Sequence, residues 1–82
     1  MTIINLASIV FEARKKTGMS QSEFATFMER NTQTISKYER GISRPSMRFI
    51  EKCKRILVTK PDELLACMMA FRARSFGVIN GL

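Results

Sequence analysis

The chain is punctuated for short helices. Gly18, Asn31, Gly41, the Pro45-Ser46 pair and Pro61 stand between stretches in which apolar residues recur at spacings of three and four, and no run alternates with period two between turn signals. Each marker has a physical role. Glycine just past a helix supplies the left-handed residue that ends it, Ser or Asn before a helix accepts from its open N–H groups, and proline fits the first helical turn. These stops and starts predict five helices and an all-α fold.

The first helix covers about residues 5–17, with Leu6, Ile9, Val10 and Ala13 facing inward and Gly18 ending it. The second begins at Ser20, where S-Q-S-E offers a capping box: Ser20 caps while Glu23 reaches back. Phe24, Ala25, Phe27 and Met28 give it an apolar stripe. Asn31 caps a third helix over residues 32–40, in which Ile35 and Tyr38 share the inner face, and Gly41 stops it. A basic loop, residues 42–45, leads to a fourth helix capped by Ser46, with Met47, Ile50, Cys53 and Leu57 at helical spacing. Pro61 opens a fifth, to about residue 75, with Thr59 or Lys60 as cap. The tail FGVINGL has neither cap nor period. With no repeat, low-complexity segment or linker, residues 1–82 read as one compact domain.

Fourteen Lys and Arg against seven Asp and Glu give a net charge of +7, which favours a polyanionic partner, nucleic acid or an anionic membrane surface. The charge is uneven: residues 42–60 hold Arg44, Arg48, Lys52, Lys54, Arg55 and Lys60 against Glu51 alone. Arg48, Lys52 and Arg55 recur at four and three on one face of the fourth helix, as a solvated face or as further phosphate contacts. There is no histidine, and Cys53 and Cys67 offer neither a zinc-finger spacing nor a disulfide framework, so both are expected as reduced core thiols of a cytoplasmic protein and no metal or cofactor is expected. The start MTIINLASIVFEARKK puts apolar residues before charges, unlike a secretory signal. The longest apolar run, residues 64–71, is too short to span a bilayer. No nucleophile with a base partner, glycine-rich phosphate loop or spaced carboxylate pair is present, so an enzyme is not expected, and no small-molecule ligand is evident.

Residues 20–41 have the form of a helix-turn-helix unit, in which one helix crosses the phosphate backbone and the next enters the major groove. With Ile35 and Tyr38 inward, the opposite face of the third helix carries Thr32, Gln33, Ser36, Lys37 and Arg40. Gln pairs with adenine N6 and N7, Lys donates to guanine O6 and N7, and Thr meets a base edge or a thymine methyl. A polar face is also what an ordinary solvated helix presents, so the neighbouring pattern has to decide.

That pattern resembles the lambda-repressor-like, Cro and Xre type of helix-turn-helix domain, without a gap over residues 10–45 and more loosely to residue 65. Arg14, Gly18-Met19-Ser20-Gln21, Phe24-Ala25, Thr34-Ile35-Ser36, Tyr38-Glu39-Arg40-Gly41, Pro45-Ser46-Met47 and Asp62-Glu63-Leu64-Leu65 carry the likeness. The resemblance implies that Thr32, Gln33 and Lys37 read bases and that Gln21, Arg40 and Arg44 touch phosphates; Ser36, on the same outer face, is expected as a further base contact, and Arg48, near the start of the fourth helix, as a further phosphate contact. It also implies that Arg14 and Glu39 form an internal salt bridge that positions the recognition helix. One departure stands out: the turn commonly has Gly followed by an apolar residue, and this chain has Glu29-Arg30. Glu29 is then expected in a left-handed conformation or in a turn that runs differently, with the Arg30 stem over the core and its head in water or on phosphate.

The fifth helix, apolar around most of its circumference at residues 64–71, exceeds what one face of so small a core buries, which suggests a partner surface. Relatives commonly bind two-fold operators as dimers, so the expected homodimer interface is Leu65, Met68 and Met69, with Leu64 and Phe71 closing the core. The resulting expectation is a transcriptional regulator, a repressor in a bacterial cell or phage-infected host, binding a double-stranded palindromic operator as a homodimer. The alternative is an antitoxin-like or controller module that mainly binds a partner protein. A peripheral membrane protein would need one long helix with separate basic and apolar faces, and only the fourth helix weakly resembles that.

Overall fold

Four helix starts carry a side chain that accepts from the N–H groups their first turn leaves open. A computed structural model describes residues 5–75, with α1 (Leu6–Thr17), α2 (Gln21–Phe27), α3 (Thr32–Glu39), α4 (Met47–Val58) and α5 (Pro61–Ser75) in order and no strand among the described residues. Asn5, Ser20, Asn31 and Ser46 cap the first four, accepting from Ser8, Glu23, Thr34 and Phe49 N–H respectively. Ser20 and Glu23 complete a reciprocal capping box. Pro61, which lacks an N–H, takes the first position of α5, and the Leu64 N–H reaches the Lys60 carbonyl at 2.9 Å. The tail, residues 76–82, lies outside the described residues.

Three left-handed residues end the first three helices: Gly18 at φ 74°, Glu29 at φ 58° and Gly41 at φ 76°. After α2 the Glu29 N–H donates to Thr26 O at 3.1 Å and the Arg30 N–H to Ala25 O at 2.7 Å. After α3 the Gly41 N–H donates to Tyr38 O at 3.2 Å and the Ile42 N–H to Lys37 O at 2.9 Å. These are the two crossed bonds of a Schellman termination in both places. The turn therefore keeps its usual path and puts the strain on Glu29, where a side chain costs about 1–2 kcal/mol relative to glycine.

α1 packs against α3, α4 and α5, and α2 against α3. Val10 and Ala13 of α1, Phe24 and Ala25 of α2, Ile35 of α3, and Phe49, Ile50 and Cys53 of α4 form the sealed centre. Aromatic edges tie the periphery: Tyr38 meets Phe49 and Phe27 meets Phe71, each pair with centroids 5.0 Å apart. A polar bond closes α4 from a distance, as Lys16 Nζ donates to Leu57 O at 2.8 Å and to Thr59 O at 2.6 Å.

Several expected faces differ. On α4 the inward residues are Phe49, Ile50, Cys53 and Ile56, and Met47 is 68% exposed. Phe49 lies about 200° around the helix from Met47, so once the larger ring enters the core Met47 must leave it. On α5 Leu64 and Met68 are buried, while Leu65 and Met69 are exposed. Met68 therefore closes the core and is not available to a partner, which removes it from the expected interface. Cys67 is exposed, contrary to a core role, and Cys53 is buried. Burial, with a smaller contribution from the Glu39 carboxylate, pushes the Cys53 thiol up to about 12.

Across the centre runs one ion pair. Arg14 donates through Nε to Glu39 Oε2 at 2.7 Å and through Nη2 to Glu39 Oε1 at 3.1 Å, and its Nη1 reaches Met19 O at 3.0 Å. Gln21 adds a fourth bond, Nε2 to Glu39 Oε1 at 3.0 Å. α1, the start of α2 and the end of α3 thus meet on one carboxylate, whose side chain is only 6% exposed.

Two stability measurements test this. Glu29→Gly removes a left-handed strain of about 1–2 kcal/mol and gives back about 0.5–1 kcal/mol as chain entropy, so Tm should rise by several degrees; a fall would show that the side chain is not strained. Glu39→Ala strands a mostly buried guanidinium at a cost of about 3 kcal/mol, so thermal unfolding followed by circular dichroism should drop by more than about 10 °C. An unchanged Tm would remove the carboxylate's role as the frame.

Candidate nucleic-acid interface

α3 owes its orientation to what lies beneath it. Ile35 is completely buried, Tyr38 packs edge-on against Phe49, and Glu39 is held by Arg14. At its start Asn31 Oδ1 accepts from both the Thr34 N–H and the Thr34 hydroxyl, each at 2.8 Å, which fixes the first turn. With that side committed, a rotation of 100° per residue leaves Gln33, Ser36, Lys37 and Arg40 facing away from the core, with Thr32 at their edge. Thr32, Gln33, Lys37 and Arg40 are exposed and Ser36 is half-buried. Among the described residues the Gln33, Lys37 and Arg40 side chains make no hydrogen bond, so their donors and acceptors are available.

The loop after α3 is folded back on it. Ile42 and Ser43 N–H groups share the Lys37 carbonyl at 2.9 and 3.3 Å, and Pro45 is buried, leaving Arg44 exposed between them. A shallow cleft between this loop and the start of α1 is lined by Asn5, Leu6, Tyr38, Ile42, Ser43 and Arg44. Arg48 stands exposed in the first turn of α4. From residue 37 to residue 48 the one acidic side chain is Glu39, whose charge Arg14 meets. Lys37, Arg40, Arg44 and Arg48 therefore leave this surface strongly positive, and such a surface attracts a polyanion.

Gln21 is half-buried, and its amide donates to Glu39, a partner the sequence did not suggest. One amide hydrogen is left for an outside ligand. Arg30 is turned back as well: Nη1 reaches the Glu29 carbonyl at 3.1 Å, and the guanidinium sits 5.6 Å from the Phe49 ring centroid. Its head caps the end of α2. Sequence reasoning also missed Phe49, the ring on which both Tyr38 and Arg30 rest. Its spacing of four and seven to Cys53 and Ile56 was the available signal.

What this surface can do chemically is donate and accept along the exposed side of α3, flanked by exposed cations. Among the described residues no three His, Cys, Asp or Glu side chains come together in a metal-binding group, and no helix is long and apolar enough to cross a membrane.

Comparison with known proteins agrees with this geometry. A family model described as helix-turn-helix matches residues 10–64, well over half of the chain and the whole of the α2–α3 unit. No curated protein and no solved structure gives a significant match. The chain belongs to the lambda-repressor-like, Xre-type helix-turn-helix family of DNA-binding regulators.

Proposed function

We propose that the chain is a transcriptional repressor that binds a two-fold operator as a homodimer, each copy laying α3 in the major groove, in the cytoplasm of a bacterial cell or phage-infected host. The observation that carries this reading is the division of α3 into an anchored inner side and a free outer side bearing Gln33, Ser36, Lys37 and Arg40. Thr32, Gln33, Ser36 and Lys37 then read base edges. Gln33 suits adenine N6 and N7 and Lys37 suits guanine O6 and N7. Arg40, Arg44, Arg48 and the remaining amide hydrogen of Gln21 hold phosphates and set the register.

Arg14 and Glu39 touch no DNA in this scheme. They hold α3 at the angle that brings its outer face to the groove. Two recognition helices related by a dyad would sit about 34 Å apart, one turn of DNA, and occupancy would block polymerase. Association needs apolar surface outside the interface. Leu65 and Met69 on α5 retain it, without Met68.

Selection from random duplexes followed by sequencing tests the reading: a two-fold consensus is expected, and featureless enrichment would sink it. Lys37→Ala should relax preference at one base step, at a cost of about 1–3 kcal/mol on the preferred site. Arg44→Ala should weaken all sequences evenly and reduce the salt slope by about one. The opposite pattern would exchange their roles.

A further inference from the structure

α4 presents three surfaces to its surroundings. Phe49, Ile50, Cys53 and Ile56 are buried, and Arg48, Lys52 and Arg55 form an exposed basic row. A third row runs beside half-buried Leu57: Met47, Glu51, Lys54 and Val58, all exposed. Their spacings of four, three and four keep them within about 60° of arc. Met47 at 68% and Val58 at 80% are the most exposed large apolar residues among those described.

The order of this row is apolar, acidic, basic, apolar, and its midpoint falls between residues 52 and 53. Reversing the direction exchanges the acid with the base and the methionine with the valine. Set against a second copy about a two-fold axis, with the helices antiparallel, Met47 meets the partner's Val58 and Glu51 meets the partner's Lys54, and both contacts occur twice. Such self-complementarity is what an isologous contact requires. The parallel arrangement puts Glu51 on Glu51 and Lys54 on Lys54, so the charges also select the direction.

We propose that this row of α4 is the contact through which two copies of the chain pair, antiparallel and about a dyad. The proposal rests on the homodimer reading above and replaces α5 as its main interface. Half-buried Leu57 extends the apolar surface inward from the row. α4 also touches the recognition helix directly, through Phe49 and Tyr38. A contact made on α4 fixes the spacing of two α3 helices through one packed layer.

Sedimentation equilibrium of the full chain tests this with charge reversals at exposed positions. Glu51→Lys alone and Lys54→Glu alone each place like charges together at both symmetry-related contacts and should raise the dimer Kd by roughly tenfold or more. An equimolar mixture of the two variants should restore a dimer, because every contact is again between opposite charges. Both variants stay strongly positive overall, so no general attraction could produce that recovery, and loss of a Glu51–Lys54 pair within one helix could not produce it either. Unchanged far-ultraviolet circular dichroism will show that the helices are kept. If both single variants dimerise like the parent while Leu65→Glu or Met69→Glu dissociates, the α4 contact is overturned and the homodimer survives through α5. A parent chain that is monomeric at high micromolar concentration and selects only half-sites overturns the homodimer reading and this contact together.

Discussion

The carboxylate of Glu39 is where the domain is held together. A carboxylate taken out of water costs several kcal/mol unless its oxygens are met, and here two guanidinium hydrogens and one amide hydrogen meet them. Those donors come from α1 and from the first turn of α2, while the acceptor sits at the end of α3. The third direction of the Arg14 fork is spent on the Met19 carbonyl in the connection between α1 and α2. Three helices are therefore indexed to one point, and the angle of α3 is set by polar geometry as well as by the packing of Ile35. The same carboxylate reinforces burial at Cys53, so that thiol stays protonated beneath the pair.

The turn between α2 and α3 illustrates how a fold tolerates an unfavourable residue. Its hydrogen bonds are those that a glycine would allow, and Glu29 takes the left-handed position regardless. What offsets the strain lies next to it. Arg30 closes over the carbonyls that end α2 and rests against the Phe49 ring, which also supports Tyr38. One aromatic ring on α4 thus braces both ends of the recognition helix, the turn before α3 and the last turn of α3 itself.

Signals that act within a few residues could be read directly from the chain. Asn5, Ser20, Asn31 and Ser46 bond to N–H groups three positions on, and Gly18 and Gly41 stop helices by their own conformation, so the helix boundaries need no knowledge of the rest of the fold. The outer face of α3 follows from Ile35 and Tyr38, which have no apolar rival on that helix. α4 and α5 do have rivals: Met47 competes with Phe49, and Met68 with Met69 and Cys67. Only the position of each helix on the core decides between such neighbours. Bonds across long separations leave no local trace. Arg14 and Glu39, 25 residues apart, could be paired only through likeness to a family, and Lys16 closing α4 from 41 residues away had no sequence signal.

Because α1 finds its main packing on α4, the order in which the chain leaves a ribosome matters. Helices of 7–12 residues such as α1 to α3 are marginal in water by themselves. α1 can meet α3 earlier, but its larger contact has to wait for Phe49, Ile50 and Cys53, about 40 residues after Val10 and Ala13, which at typical synthesis rates is ~2–8 s. During that interval the core still lacks its α4 side. The first helix synthesised is therefore among the last to have its packing completed.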